Sequence, residues 1–335
     1  MTGMGAVVAA VLSFAVTSAL GIVLIPYLRK LKYGQSIKEI GPVWHKSKQG
    51  TPVMGGLMFI IGIVISVAVI LIFAGDFMFQ MRDNERSRLI YGVLMALMFG
   101  FIGFSDDYIK VVKKRNLGLT AKQKFLLQVF AAVIFLVLEF VTGLRGTSMM
   151  VPFTNITLNL GIAFWPVALF IIVGTVNSVN LTDGVDGLAA SVTTVVALAL
   201  MLSAKIMMST AFAAVAAALA GGCLGFLIWN FHPAKIFMGD TGSLFLGGLI
   251  CAIAFGIDQP LLLIPFGIIY IVETMSDIIQ VISFKSTGKR VFKMAPIHHH
   301  FEMSGWSEVK IVTVFTCVTI VFSIAGVAWL AYMIK

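Results

Sequence analysis

The run LIYGVLMALMFGFIGFSDDYIKVVKKR, residues 89–115, decides the fold. From Leu89 to Ser105 an apolar series is broken only by Tyr, Gly and Ser. Asp106 and Asp107 then stand together, and Lys110, Lys113, Lys114 and Arg115 follow within about two helical turns. A stretch of about 17–25 mostly apolar residues is long enough to span hydrocarbon as a helix. Carboxylates at the end of such a stretch are costly, so their default reading is functional, with cations as partners. The run therefore predicts a membrane helix that delivers an acidic pair and a basic cluster to one membrane face.

Working outward, the chain of 335 residues is 59% hydrophobic and 12% charged, with a mean hydropathy of +1.01, which excludes an ordinary soluble domain. Ten spans follow, at about 4–27, 53–74, 89–106, 123–141, 160–180, 187–204, 208–228, 241–257, 260–283 and 309–334. The fourth holds Glu139 and the ninth Glu273 and Asp277, so both are expected to line protein-buried or aqueous surface. The first run, Met4 to Leu28, has basic residues after it and none before it, and reads as a retained helix. Between spans four and five, VPFTNITLNLG predicts a small periplasmic hairpin near 150–159. Cys223, Cys251 and Cys317 lie inside apolar runs and indicate neither a disulfide framework nor a metal site.

Positive charge gathers on the cytoplasmic face of membrane proteins. With the N-terminus outside, eighteen of the 24 Lys and Arg fall in cytoplasmic segments, and so do all three aspartate clusters. The expected architecture is an all-α polytopic integral membrane protein, a single transmembrane catalytic domain over 1–335 with its catalytic face cytoplasmic. A net charge of +9 suits anionic membrane lipids and an anionic substrate. It is too dispersed among loops for nucleic acid to be a partner.

Four further segments carry chemistry. Adjacent Asp106 and Asp107 repel, so one resists ionisation unless a cation offsets the other, which suits a base or a metal ligand; the structural alternative is a helix-end pair neutralised by Lys110. In NLTDGVDGLA, 180–189, Asp183 and Asp186 can face a common pocket with Asn180, or Asp186 can cap the sixth helix. In WNFHPAKIFMGDTGSL, 229–244, the glycines around Asp240 resemble a phosphate-binding turn at a helix start; Asp240 can hold magnesium there or act as a cap. In KMAPIHHHFE, 293–302, at most two of His298, His299 and His300 can share a site, because consecutive side chains diverge. With no nearby cysteine and no HExxH spacing, phosphate or sugar contact suits them better than zinc. Last, KSKQGTPVMGG, 46–56, offers Lys46, Lys48 and Thr51 for anion contact or for topology alone.

Together GTPVMGG, FSDDYIKVVKK, NSVNLTDGVDGLA, FMGDTGSL and APIHHHFE resemble, in order and over nearly the whole chain, the bacterial phospho-N-acetylmuramoyl-pentapeptide transferase family. That family lies within the polyprenyl-phosphate N-acetylhexosamine 1-phosphate transferase superfamily. The resemblance implies transfer of phospho-MurNAc-pentapeptide from UDP-MurNAc-pentapeptide to undecaprenyl phosphate, with Mg2+, giving lipid I and UMP at the bacterial cytoplasmic (inner) membrane. It implies service to peptidoglycan synthesis and so to cell shape and division, a homodimer, and uridine-containing nucleoside inhibitors. It assigns catalysis to Asp106, Asp107, Asp240, His298 and His299, with Asp240 on the metal. Substrate contact falls to Lys46, Thr51, Lys110, Lys114, Lys122, Asn180, Asp183, Asp186, Asn230, Phe237 and Gln280. Phe237 would stack on uracil, or simply pack in the core. Whether Asp106 or Asp107 acts as base, and whether an aspartyl phosphate forms, the resemblance leaves open.

Two rivals remain at this stage. A transporter would place its charges near the bilayer midplane between repeats, whereas these lie at span ends and no repeat is evident. A sister enzyme using UDP-GlcNAc is separable by comparing donors, and the HHHFE form points to the muramoyl-pentapeptide branch.

Overall fold

A computed structural model of the chain describes residues 3–31, 48, 50–73, 81–82, 84–112 and 118–335. Each expected apolar run is helical within these residues: α1 Met4–Lys30, α2 Gly56–Ile72, α3 Glu85–Val112, α4 Ala121–Val141, α5 Phe164–Thr182, α6 Leu188–Ile206, α7 Thr210–Asn230, α8 Gly239–Gly256, α9 Leu263–Phe266 with α10 Ile268–Thr287, and α12 Glu308–Met333. Between the last two, α11 spans Ile297–Glu302. Among the described residues, eight helical segments are long and apolar enough to cross a membrane, and α2 is a shorter apolar helix of 17 residues. The protein is thus an all-α, multi-pass membrane protein. The ninth expected span is not one rod: Pro260–Phe266 and Ile268–Thr287 meet at 79°. Pro265 and Gly267 flank the break, as expected of a ring that cannot donate beside a residue without a side chain.

The hairpin is present as β1, Ser148–Met150, paired antiparallel with β2, Thr157–Asn159, with Met149 opposite Leu158. Its first strand begins before the stretch that the β-branched pattern picked out.

The core sits on α7 and α8, almost every residue of which is buried. α7 packs on α1, α2 and α6, while α8 packs on α3, α5 and α2. Both are rich in Gly and Ala, which lets neighbouring backbones approach closely where lipid gives no hydrophobic drive. The approach is close at the start of α8. A Cβ on Gly103 would overlap the Asp240 carbonyl, and one on Gly56 would overlap Gly242.

α8 is about 27 Å long at 1.5 Å per residue, so its two ends lie on opposite sides of the bundle. At its C-terminal end, Arg145 pairs with Glu139 (3.2 Å) and Asp258 (2.7 Å), and Arg88 pairs with Asp258 (2.6 Å). The two guanidinium groups also donate to the Leu144 and Phe255 carbonyls. Glu139, flagged in the sequence as out of place in a span, is accordingly 1% exposed and paired.

Because Gly103 meets backbone and not a flexible side chain, Gly103→Val must push α3 from α8. Overpacking of this kind costs about 1–3 kcal/mol, so the variant should melt lower in detergent than the wild type by circular dichroism.

Candidate active site

The third helix runs past the expected end of its span, to Val112, and this decides the geometry: Asp106, Asp107 and Lys110 share one helix one turn apart. Lys110 Nζ lies 2.5 Å from Asp106 and 3.0 Å from Asp240. Lys124, on the first turn of α4, reaches the same Asp240 oxygen at 2.9 Å. Asn180, at the end of α5, donates to the other Asp240 oxygen at 2.8 Å and accepts from Lys124 at 3.2 Å. Four helices thus converge on one carboxylate.

Asp107 does something different. Its oxygens accept from the Asp240 backbone N–H (3.2 Å), the Thr241 N–H (2.9 Å) and the Thr241 hydroxyl (2.7 Å). A helix start leaves backbone N–H groups without intrahelical partners, and here a carboxylate from another helix supplies them. Asp107, not Asp240, caps α8. Gly239 has φ +71°, which a side chain would strain, and turns the chain into that helix.

Asp106, Asp107 and Asp240 bring ligand oxygens within 4.8 Å of one another. Three carboxylates form an all-oxygen donor set, which suits a hard cation such as magnesium. A second acidic group joins Asp186, Glu308 and His232. Its centre carries Lys48 Nζ, 2.7 Å from both carboxylates. These residues with Thr51 and Trp306 line a cavity of about 660 Å³.

Asp186 is not a cap for α6. It accepts from the Ala234 N–H (3.0 Å) and from Lys48, with His232 Nδ1 at 3.1 Å. Asn230 is 1% exposed and spends its amide on backbone, accepting from Gly187 N–H (3.1 Å) and donating to the Ile236 carbonyl (2.9 Å). Gln280 similarly pins the segment after α10 through Val291 and Phe292. Ile236 and Met238 are buried in the core, whereas Phe237 between them is half-buried and outside it.

His298 Nδ1 lies 3.0 Å from Glu273, and His299 Nδ1 lies 2.6 Å from Glu302. The two rings are 4.1 Å apart between centroids, while His300 turns away and accepts from the Lys293 N–H. Lys122 is exposed, with Lys124 two positions on facing Asp240. Lys46 and Lys114 lie outside the described residues. Sequence reading missed Lys124 and Glu308, which pair with Asp240 and with Lys48. Helical spacing tells that Lys122 and Lys124 cannot share a face, and the start of α4 decides which of them faces Asp240.

Residues 89–257 match Glycosyl transferase family 4. The chain is 50% identical over 323 residues to the phospho-N-acetylmuramoyl-pentapeptide-transferase of Desulforamulus reducens, covering 95% of this chain and 93% of that protein. It is 49% identical over 320 residues to that of Heliobacterium modesticaldum (94% and 96%). It is 45% identical over 327 residues to that of Bacillus cytotoxicus (98% of each).

Burial raises the Asp183 carboxyl well above the ordinary range, and the charges of Asp240, Asp107 and Asp186 add to the shift. A carboxyl held more tightly protonated in the fold than in the unfolded chain makes stability fall as pH rises from about 4, its unfolded value, towards the raised one. Asp183→Asn removes that loss. Without substrate or metal, the variant should gain melting temperature over the wild type as pH is raised from 4 to 8, and a constant difference would contradict the assignment.

Proposed function

This chain belongs to the phospho-N-acetylmuramoyl-pentapeptide-transferase family, and we propose that Asp106, Asp240 and the lysines on them are the centre at which it works. The enzyme is a membrane transferase of peptidoglycan synthesis and makes lipid I. In our reading the donor is UDP-MurNAc-pentapeptide, the acceptor undecaprenyl phosphate, and the membrane the bacterial cytoplasmic one. The observation that carries the reading is the convergence of Lys110, Lys124 and Asn180 on Asp240.

An oxygen of the lipid phosphate attacks the phosphorus that carries the sugar, and the bond from that phosphorus to UMP breaks. Both reactants are anions, so the barrier falls chiefly by charge neutralisation in a preorganised site. Lys110 and Lys124 are already held there by carboxylates, so they need not be ordered when substrate arrives. Asp106 keeps its oxygens near Lys110 and the Leu119 N–H (2.7 Å) and suits the orienting or deprotonating role. Asp107, committed to the start of α8, positions Asp240 instead. Asp240 with Asp106 would hold the Mg2+, which supplies Lewis-acid stabilisation of the diphosphate. His299, the more exposed of the held histidines, is left for sugar or phosphate contact.

The Asp183–Asp186 turn and Phe237 suit the nucleoside, and uridine-containing inhibitors would compete there. The deciding experiment measures UMP released from UDP-MurNAc-pentapeptide with undecaprenyl phosphate and magnesium. Release from UDP-GlcNAc alone would overturn the donor assignment. Asp240→Asn should abolish turnover together with its magnesium dependence. Lys124→Met should lower kcat about 10²-fold, the size seen when one preorganised charge-stabilising donor is lost. For Asp186→Asn and Phe237→Ala, calorimetry with UMP should show binding weaker by about 1–3 kcal/mol.

A further inference from the structure

One buried carboxylate takes no part in this chemistry. Glu273 is fully buried on α10. Its helix is registered on α5 by Thr274 donating to Ser178 (2.7 Å) and on α6 by the Tyr270–Thr193 hydroxyl pair (2.7 Å). Glu273 Oε2 lies 3.0 Å from His298 Nδ1 and 3.5 Å from the His298 backbone nitrogen. Among the described residues, Glu273 Oε1 and His298 Nε2 are both buried without a hydrogen-bond partner. The imidazole is 1% exposed, and its Nε2 edge rests on Gly184, where a Cβ would overlap it.

A buried carboxylate that uses one oxygen of two is costly. Replacing a buried ionic pair by apolar side chains is often neutral or stabilising, so packing alone does not explain its presence. The orientation does. Oε2 accepts from Nδ1–H, which fixes the ring and turns its Nε2 edge to the backbone of the Asp183–Asp186 turn.

We propose that Glu273 is a positioning residue for nucleotide binding: it orients His298, and His298 holds the Asp183–Asp186 turn, through Gly184, in the conformation that receives UMP. His298 then works through the turn and not on the reacting atoms. The inference rests on the reading of that turn as the nucleoside site.

The test uses the full-length chain in detergent, with calorimetry of UMP binding and steady-state turnover. Glu273→Ala should raise the Kd for UMP and the KM for the nucleotide donor about tenfold, the scale of one buried hydrogen bond, with a smaller change in kcat. Glu273→Gln keeps an acceptor for Nδ1–H and should stay near wild type. In a His298→Ala background, Glu273→Ala should add nothing. Should Glu273→Ala fail to fold, Gly184→Ala displaces the ring with both side chains retained and must raise the Kd by a similar factor. A folded Glu273→Ala with wild-type Kd and KM, or independent effects of Glu273→Ala and His298→Ala, overturns the positioning role. Wild-type protein that does not bind UMP overturns the nucleoside reading instead, so the two failures are distinct.

Discussion

The start of α8 is a helix N-terminus closed by a different helix, and the site's geometry depends on that closure. Backbone N–H groups at Asp240 and Thr241 would be unsatisfied without Asp107. Their partial positive charge also favours the carboxylate that answers them. α3 can bring Asp107 this close only because Gly103 lets its backbone touch the Asp240 carbonyl. Once α3 and α8 are joined here, Asp106 and Asp240 cannot avoid each other, and Lys110 lies between them by its place one turn along α3. Lys124 and Asn180 then add a second cation and a neutral donor from α4 and α5. Among the described residues, three carboxylates face two lysines, a negative excess that suits a divalent cation better than a bare anion.

The same reasoning marks what the sequence could and could not disclose. Apolar runs are long-range patterns written in one dimension, so the helices were legible, including the odd status of Glu139 and Glu273 within them. The short motifs marked Asp106, Asp107, Asp183, Asp186 and Asp240, because glycines and carboxylates at span ends have few structural uses. Partnership across helices was not legible. Nothing in the spacing of FMGDTGSL tells that Asp240 is capped by Asp107 and is not itself the cap. The basic stretch around 110–124 offered several lysines, and which one faces Asp240 depends on the phase at which α4 starts. Thr120 sets that phase through a capping box with Gln123, which puts Lys124 inward and Lys122 outward. Asn230 and Gln280 show the converse: polar residues that the resemblance assigned to substrate, whose hydrogen bonds go to backbone.

Ion pairs alone do not identify a reactive centre, and the two ends of α8 make the distinction. At the C-terminal end, Arg88 and Arg145 face Asp258 and Glu139, and both guanidinium groups reach backbone carbonyls as well. Charge is balanced there, each planar guanidinium bridges a carboxylate and a backbone carbonyl, and the result is a clasp between helix ends. At the N-terminal end the cations among the described residues are lysines, compact point charges on flexible stems, and the carboxylates outnumber them. A clasp built for stability has no reason to leave that imbalance in a buried place, because like charges near one another cost the fold. An active centre does, because the missing positive charge is brought by what binds, and the lysines can re-aim as the phosphates arrive. The asymmetry of α8, balanced at one end and deficient at the other among the described residues, therefore supports the proposal of a reactive centre at Asp240 and fits a structural role for Asp258.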